Sequence, residues 1–152
     1  MAAAEEQVKA FLRQYLECER EIEVRAEELA RCRCLAVKTT GAVSGERVQG
    51  SRRNRLEETV ERIVELEEAL LEQVDRLQGT KEAVDRVIAA VDNGEQRAVL
   101  QMRYLAGKNW EETGDALGYS LRHAARLHNL AVKELAGRGE TGLLGRAEGR
   151  CT

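Results

Sequence analysis

No proline occurs anywhere in the 152 residues of this chain. Proline breaks a helix interior by removing a hydrogen-bond donor and clashing with the preceding turn. A chain that never uses it can build helices as long as its apolar pattern supports. Charged residues make up 34% and aromatic residues only 3%, the balance of coiled coils and long helices. A large core is not expected. The apolar residues should be spent on helix–helix seams.

Residues 4–36 read as one helix. Val8, Tyr15, Ile22, Leu29 and Ala36 recur every seven positions, and Phe11, Cys18 and Cys32 fill the intermediate position, broken by Arg25. This is an a/d seam with small buried cysteines in it. Residues 37–53 carry three glycines and several hydroxyls, so they read as a loop. Residues 54–91 read as a second helix, with Asn54 as N-cap and Glu57 three positions on. Its stripe is Leu56, Ile63, Leu70, Leu77, Val84 and Val91, with Val60, Val74 and Ile88 as second seam positions and Glu67 and Lys81 interrupting them. The simplest arrangement folds the two helices antiparallel over residues 1–91. Such a hairpin has little core. It leaves Val64, Leu66 and Leu71 on other faces, so self-association to at least a dimer is expected.

The period changes after the turn Asp92-Asn93-Gly94. Residues 92–136 read as three short helices: one ending at Ala106-Gly107, one over 110–117, and one that Ser120 can cap, running to about Leu135. Residues 137–152 hold five glycines without periodicity and read as a flexible tail. The last two helices meet the physical requirements of a helix-turn-helix. Gly114 is small where the helices cross. Gly118 accepts positive φ in the turn. Leu117, Tyr119, Ala124 and Leu127 clamp the inner faces. Thr113 is the exception, because an aliphatic residue would pack better there. Ser120, Leu121, Arg122, His123 and Arg126 are then free to meet DNA. Trp110 reads as core and His128 as a packing or capping residue. Glu111 and Glu112 favour the helix dipole.

The stretch Asn109-Trp-Glu-Glu-Thr-Gly-Asp-Ala-Leu-Gly-Tyr-Ser-Leu-Arg-His-Ala-Ala-Arg-Leu-His128 resembles region 4 of bacterial sigma factors. It shares the Glu-Glu pair, the Leu-Gly turn, the Ser cap and a polar recognition helix. Arg97 to Gly107 resembles the helix packed beneath it. The resemblance implies a unit that reads a promoter's upstream hexamer and touches RNA polymerase. A further resemblance covers most of the chain. Ser44-Gly45, Val48-Gln49, Ser51, Arg103-Tyr104, Trp110-Glu111-Glu112, Tyr119-Ser120, His123 and Arg126-Leu127-His128 are similar to a family of small phage and prophage proteins, largely of unknown function. That family joins a helical N-terminal part to a sigma-like C-terminal part, which implies phage transcription control. The seam-patterned first ninety residues have no equivalent of the promoter-melting sigma region, so a complete sigma factor is not expected.

The expected fold is therefore all-α: a long, coiled-coil-like antiparallel hairpin followed by a three-helix, sigma region 4-like helix-turn-helix. The expected partner is double-stranded DNA, with host RNA polymerase as a further one. A net charge of -3 confines DNA contact to a local patch. Arg47, Arg52, Arg53 and Arg55 form a second basic cluster, read either as a DNA-backbone contact or as a solvated loop. Two rivals stay open: a polymerase-binding module that touches no DNA, and a packaging component of the small-terminase kind. No catalytic constellation, phosphate loop or zinc-site spacing is present, so neither an enzyme nor a cofactor is expected. No apolar run is long enough for a membrane span. The Ala-rich and then acidic start lacks a signal-peptide pattern, so the chain is expected in the cytoplasm.

Overall fold

A computed structural model describes residues 2–41 and 49–138. Five helices account for them: α1 (Ala2–Gly41), α2 (Gln49–Ala89), α3 (Gly94–Tyr104), α4 (Trp110–Leu117) and α5 (Leu121–Gly137). No strand occurs among the described residues. The fold is all-α, with α1 and α2 as the antiparallel hairpin. Both long helices exceed the sequence expectation. Residues 37–41 and 49–53 are helical rather than loop, and Asn54 lies inside α2 instead of capping it. A glycine inside a helix costs only about 1 kcal/mol, so Gly50 does not stop a helix that is packed further on. Of the expected tail, 137–152, Gly137 closes α5 and Arg138 caps it; residues 42–48, with Arg47, and 139–152 lie outside the described residues.

The contacts divide the chain into two units, one of residues 1–19 with 76–152 and one of residues 20–75. In the second unit the two helices meet along a seam. Leu29 and Leu66 are buried, and Ile22, Cys32, Leu56, Ile63 and Leu70 are half-buried. Arg33 pairs with Glu67 and Arg62 with Glu28, both at 2.7 Å. Each exposed pair contributes at most about 1 kcal/mol, so they align the helices more than they stabilise them.

The seam of α1 follows the expected positions. That of α2 does not. Its second inward position lies three residues after the first, not four, so Thr59, Leu66, Gln73 and Thr80 turn inward. Val60 and Val74 face solvent at 47% and 49% exposure, whereas Leu66, expected outside, is 4% exposed. At 3.6 residues per turn, positions three and four along both flank a stripe. The valines pulled the sequence reading to the wrong flank. Val64 and Leu71 are exposed, as expected.

In the first unit one core joins Val8, Phe11 and Leu12 of α1, Val84, Val87 and Ile88 of α2, Val91 just after it, Leu100 and Tyr104 of α3, and Ala131, Val132 and Leu135 of α5. Fully burying such a side chain contributes about 1.5–3 kcal/mol. The ends of the long helices are thus part of the unit that holds α3–α5. Here α2 is covered from more than one side, which is why Val87 and Ile88 are both buried. The carbonyls of the turn that follows α2 need donors of their own. Arg97 Nη1 donates to Val91 O at 2.8 Å. Arg138 donates to Ala90 O at 2.6 Å and to Asp92 Oδ2 at 2.5 Å, and also pairs with Glu134. These two arginines lock α3 and α5 onto the end of α2.

Candidate nucleic-acid interface

Each short helix is started by the side chain of the residue just before it. Asn93 Oδ1 accepts from the backbone N–H of Glu95 and Gln96 at the start of α3. Asn109 Oδ1 accepts from Glu112 N at 2.8 Å at the start of α4. Gly118 ends α4 at φ 73° and ψ 29°, the left-handed region that non-glycine residues rarely adopt. Ser120 Oγ accepts from His123 N at 3.1 Å and opens α5. The α4 and α5 boundaries and the Ser120 cap agree with the sequence expectation.

The turn is tight. Tyr119 N donates to Gly114 O at 2.8 Å. A Cβ on Gly114 would stand 2.6 Å from the Tyr119 carbonyl oxygen, closer than real side chains come. Gly114 is therefore needed for the approach of chain segments, and Gly118 for its φ angle.

Buried Thr113 has no hydrogen-bond partner for its Oγ1. An unpaired buried hydroxyl costs about 1–3 kcal/mol. Thr113→Val is expected to stabilise the protein by about 1 kcal/mol, raising Tm by roughly 2–4 °C in a thermal melt followed by circular dichroism. An unchanged or lower Tm would mean that the hydroxyl finds a partner in solution.

The two faces of α5 differ sharply. Ala124, Leu127, His128, Ala131, Val132 and Leu135 are buried. Arg122, Ala125, Arg126, Asn129, Leu130 and Lys133 line a shallow open depression on the other face. Leu121 is exposed at the helix start. Cationic side chains at 122, 126 and 133 share one stripe, and their guanidinium and ammonium groups can only donate. An exposed helix face that carries cations around a small apolar floor is the surface that a major groove accepts.

Residues 93–136 match the family model for sigma-70, region 4. This stretch, which takes in α3, α4 and nearly all of α5, is a sigma region 4-like helix-turn-helix. No curated protein and no solved structure matches the chain.

Within the region 4-like unit the expected residues fall as follows. Ser120, Leu121, Arg122 and Arg126 are exposed. His123 is half-buried, its ring edge-on to Tyr119 at 4.9 Å. Sequence reasoning missed Asn129, Leu130 and Lys133. The spacing 122–126–129–133 carried the signal, since it continues the same helical face for another two turns. Arg53 and Arg55 are exposed in α2, in the other unit, and Arg53 lies 3.7 Å from Glu57. Arg47 and the side chain of Arg52 lie outside the described residues.

The aromatic residues under α5 form part of its packing. His128 is 4% exposed. Trp110 packs edge-on against its ring at 4.9 Å. The Arg103 guanidinium lies 4.2 Å from the Trp110 ring centroid, and its Nη1 donates to Lys108 O at 2.8 Å. The Arg103-Tyr104 and Trp110 motif thus ties α3 to α4. Among the described residues no cluster of His, Cys, Asp or Glu could hold a metal ion, and no helix is long and apolar enough to cross a membrane.

Proposed function

We propose that this protein is a sequence-specific DNA-binding regulator of transcription in a phage or prophage, acting in the cytoplasm of the bacterial host, with α5 as its recognition helix. It is not an enzyme. The observation that carries this reading is the exposed stripe of Arg122, Arg126 and Lys133 opposite the buried face of α5. Phosphate contacts by these cations supply affinity and base contacts supply specificity. The phage setting rests on the resemblance at Arg103-Tyr104, Trp110, Tyr119-Ser120 and His128.

Fluorescence anisotropy with promoter DNA over a salt series tests DNA binding. Three phosphate contacts predict a slope of roughly -3 in log affinity against log salt. No binding at low salt would overturn the reading. It would favour the alternative in which the unit binds RNA polymerase without touching DNA, which the overall charge of -3 supports. A ring-sized oligomer would favour the small-terminase kind instead.

The active form is proposed to be at least a dimer. Val60 and Val74 stand two heptads apart on α2, and Val64 and Leu71 one heptad apart, all exposed. A second heptad stripe on one helix calls for a second helix against it. A dimer also presents two recognition helices to a two-part site. Sedimentation equilibrium at micromolar concentration is expected to give a dimer or larger, and Val64→Lys with Leu71→Lys a smaller species. A strictly monomeric wild type would refute dimeric reading.

A further inference from the structure

His128 and Asn129 are neighbours on α5 but belong to opposite faces. The His128 ring is buried against Tyr104 and Trp110. Asn129 is exposed and lines the depression with Arg122 and Arg126. Two hydrogen bonds connect the inside to the outside. The Tyr104 hydroxyl is 2.6 Å from His128 Nε2, and His128 Nδ1 is 3.2 Å from Asn129 Oδ1.

The direction of this chain follows from the atoms. An amide oxygen only accepts, so His128 Nδ1 carries a proton. In the neutral ring Nε2 then accepts, and the Tyr104 hydroxyl donates to it. The surroundings keep the ring neutral. Burial, with Lys9 and Arg13 of α1 and Arg103 of α3 nearby, holds His128 below the ordinary histidine pKa, although its bond to Asn129 works the other way. Burial raises the Tyr104 phenol, so it keeps its proton, with Glu6 acting in the same sense and Arg13 and Arg103 against it. Trp110 of α4 adds no ionisable group.

We propose that Tyr104 and His128 are positioning residues that hold the Asn129 amide with its oxygen turned inward, so that its amino group alone faces the DNA. This rests on α5 being the recognition helix. An asparagine that reads adenine in the major groove needs both amide atoms on the base edge, oxygen to N6 and nitrogen to N7. Asn129 has given its oxygen to His128. What remains is a donor, which suits any major-groove acceptor, guanine O6 or N7, thymine O4 or adenine N7, and is mismatched with cytosine, which offers only its amino group. Asn129 is thus a specificity-determining residue, and its preference is written by the buried tyrosine two helices away.

The test has one arm without DNA and one with it. In the full-length protein, long-range nitrogen–proton NMR of the imidazole rings is expected to show His128 as the Nδ1–H tautomer. Tyr104→Phe is expected to lose that single tautomer. An Nε2–H tautomer in the wild type overturns the proposal. Selection from randomised DNA is then run with wild type, Asn129→Ala and Tyr104→Phe. Asn129→Ala should lose preference at one position, where the wild type disfavours cytosine roughly tenfold, the size of one base contact. Tyr104→Phe, which frees the amide oxygen for the two-bond contact to N6 and N7, should shift that position towards adenine and leave the other positions unchanged. Adenine preferred by the wild type, or no position altered in Asn129→Ala, overturns the proposal while DNA reading by α5 stands. If the wild type selects no sequence at all, both fail.

Discussion

Alanine at both Arg122 and Arg126 lowers affinity for the specific site by about 30-fold to 10⁴-fold. The range follows from about 1–3 kcal/mol for each specific arginine contact, with 1.4 kcal/mol per tenfold change. Both side chains are exposed, and no ion pair within the described residues occupies either one. Removing them therefore leaves no buried charge unpaired. The helix itself should persist, because alanine is the best helix former and the buried face of α5 is untouched. An anisotropy titration at fixed salt measures the loss, and the salt slope should flatten by about two if both contact phosphates. Affinity within twofold of wild type, in a variant with unchanged circular dichroism, would remove α5 as the DNA-reading element.

Gly114→Val has the largest effect expected on the fold. Its first side-chain carbon would meet the Tyr119 carbonyl oxygen at 2.6 Å, and a backbone atom cannot swing aside as a side chain can. That same turn is held by Tyr119 N donating to Gly114 O. Forcing α4 from the start of α5 breaks this bond and tilts α5 from its core. Overpacking typically costs 1–3 kcal/mol and occasionally more. With two further methyl groups, a loss of at least about 3 kcal/mol is expected, or roughly 6–12 °C in Tm, together with loss of DNA binding. Gly118 is the informative comparison. A Cβ there meets nothing within 4 Å, so only its φ of 73° matters. That strain is about 1–2 kcal/mol for an ordinary residue, and less for asparagine. The expected order of damage is Gly114→Val, then Gly118→Val, then Gly118→Asn. Thermal melts of the three variants rank them. If Gly118→Val proves the most damaging, backbone conformation governs this turn rather than the close approach.

The helix-turn-helix was legible because its requirements are local. A capping side chain acts within three residues, as Asn109 and Ser120 do. A left-handed turn needs one glycine at one place. Such features depend on short stretches of chain, so spacing alone could locate α4, Gly118 and the start of α5. The outward position of Arg122 and Arg126 followed from the same periodicity. Lys133 and Asn129 were equally periodic, but they lie beyond the first turns of α5, and the sequence reading stopped short of them.

What the chain alone determined was helix content, the order of the helices and the heptad stripe of α1. Each follows from one-dimensional periodicity and the absence of proline. The tertiary structure decided which flank of α2 is its seam, because Val60 and Leu66 are equally apolar and only a partner helix distinguishes them. It decided that the ends of α1 and α2 belong to the core beneath α5, since burial of Val8, Ile88 and Leu135 in one cluster joins residues far apart in sequence. It also decided the link from Tyr104 through His128 to Asn129. Hydrogen bonds between side chains 24 positions apart depend on distance in space, and no spacing rule along the chain encodes them.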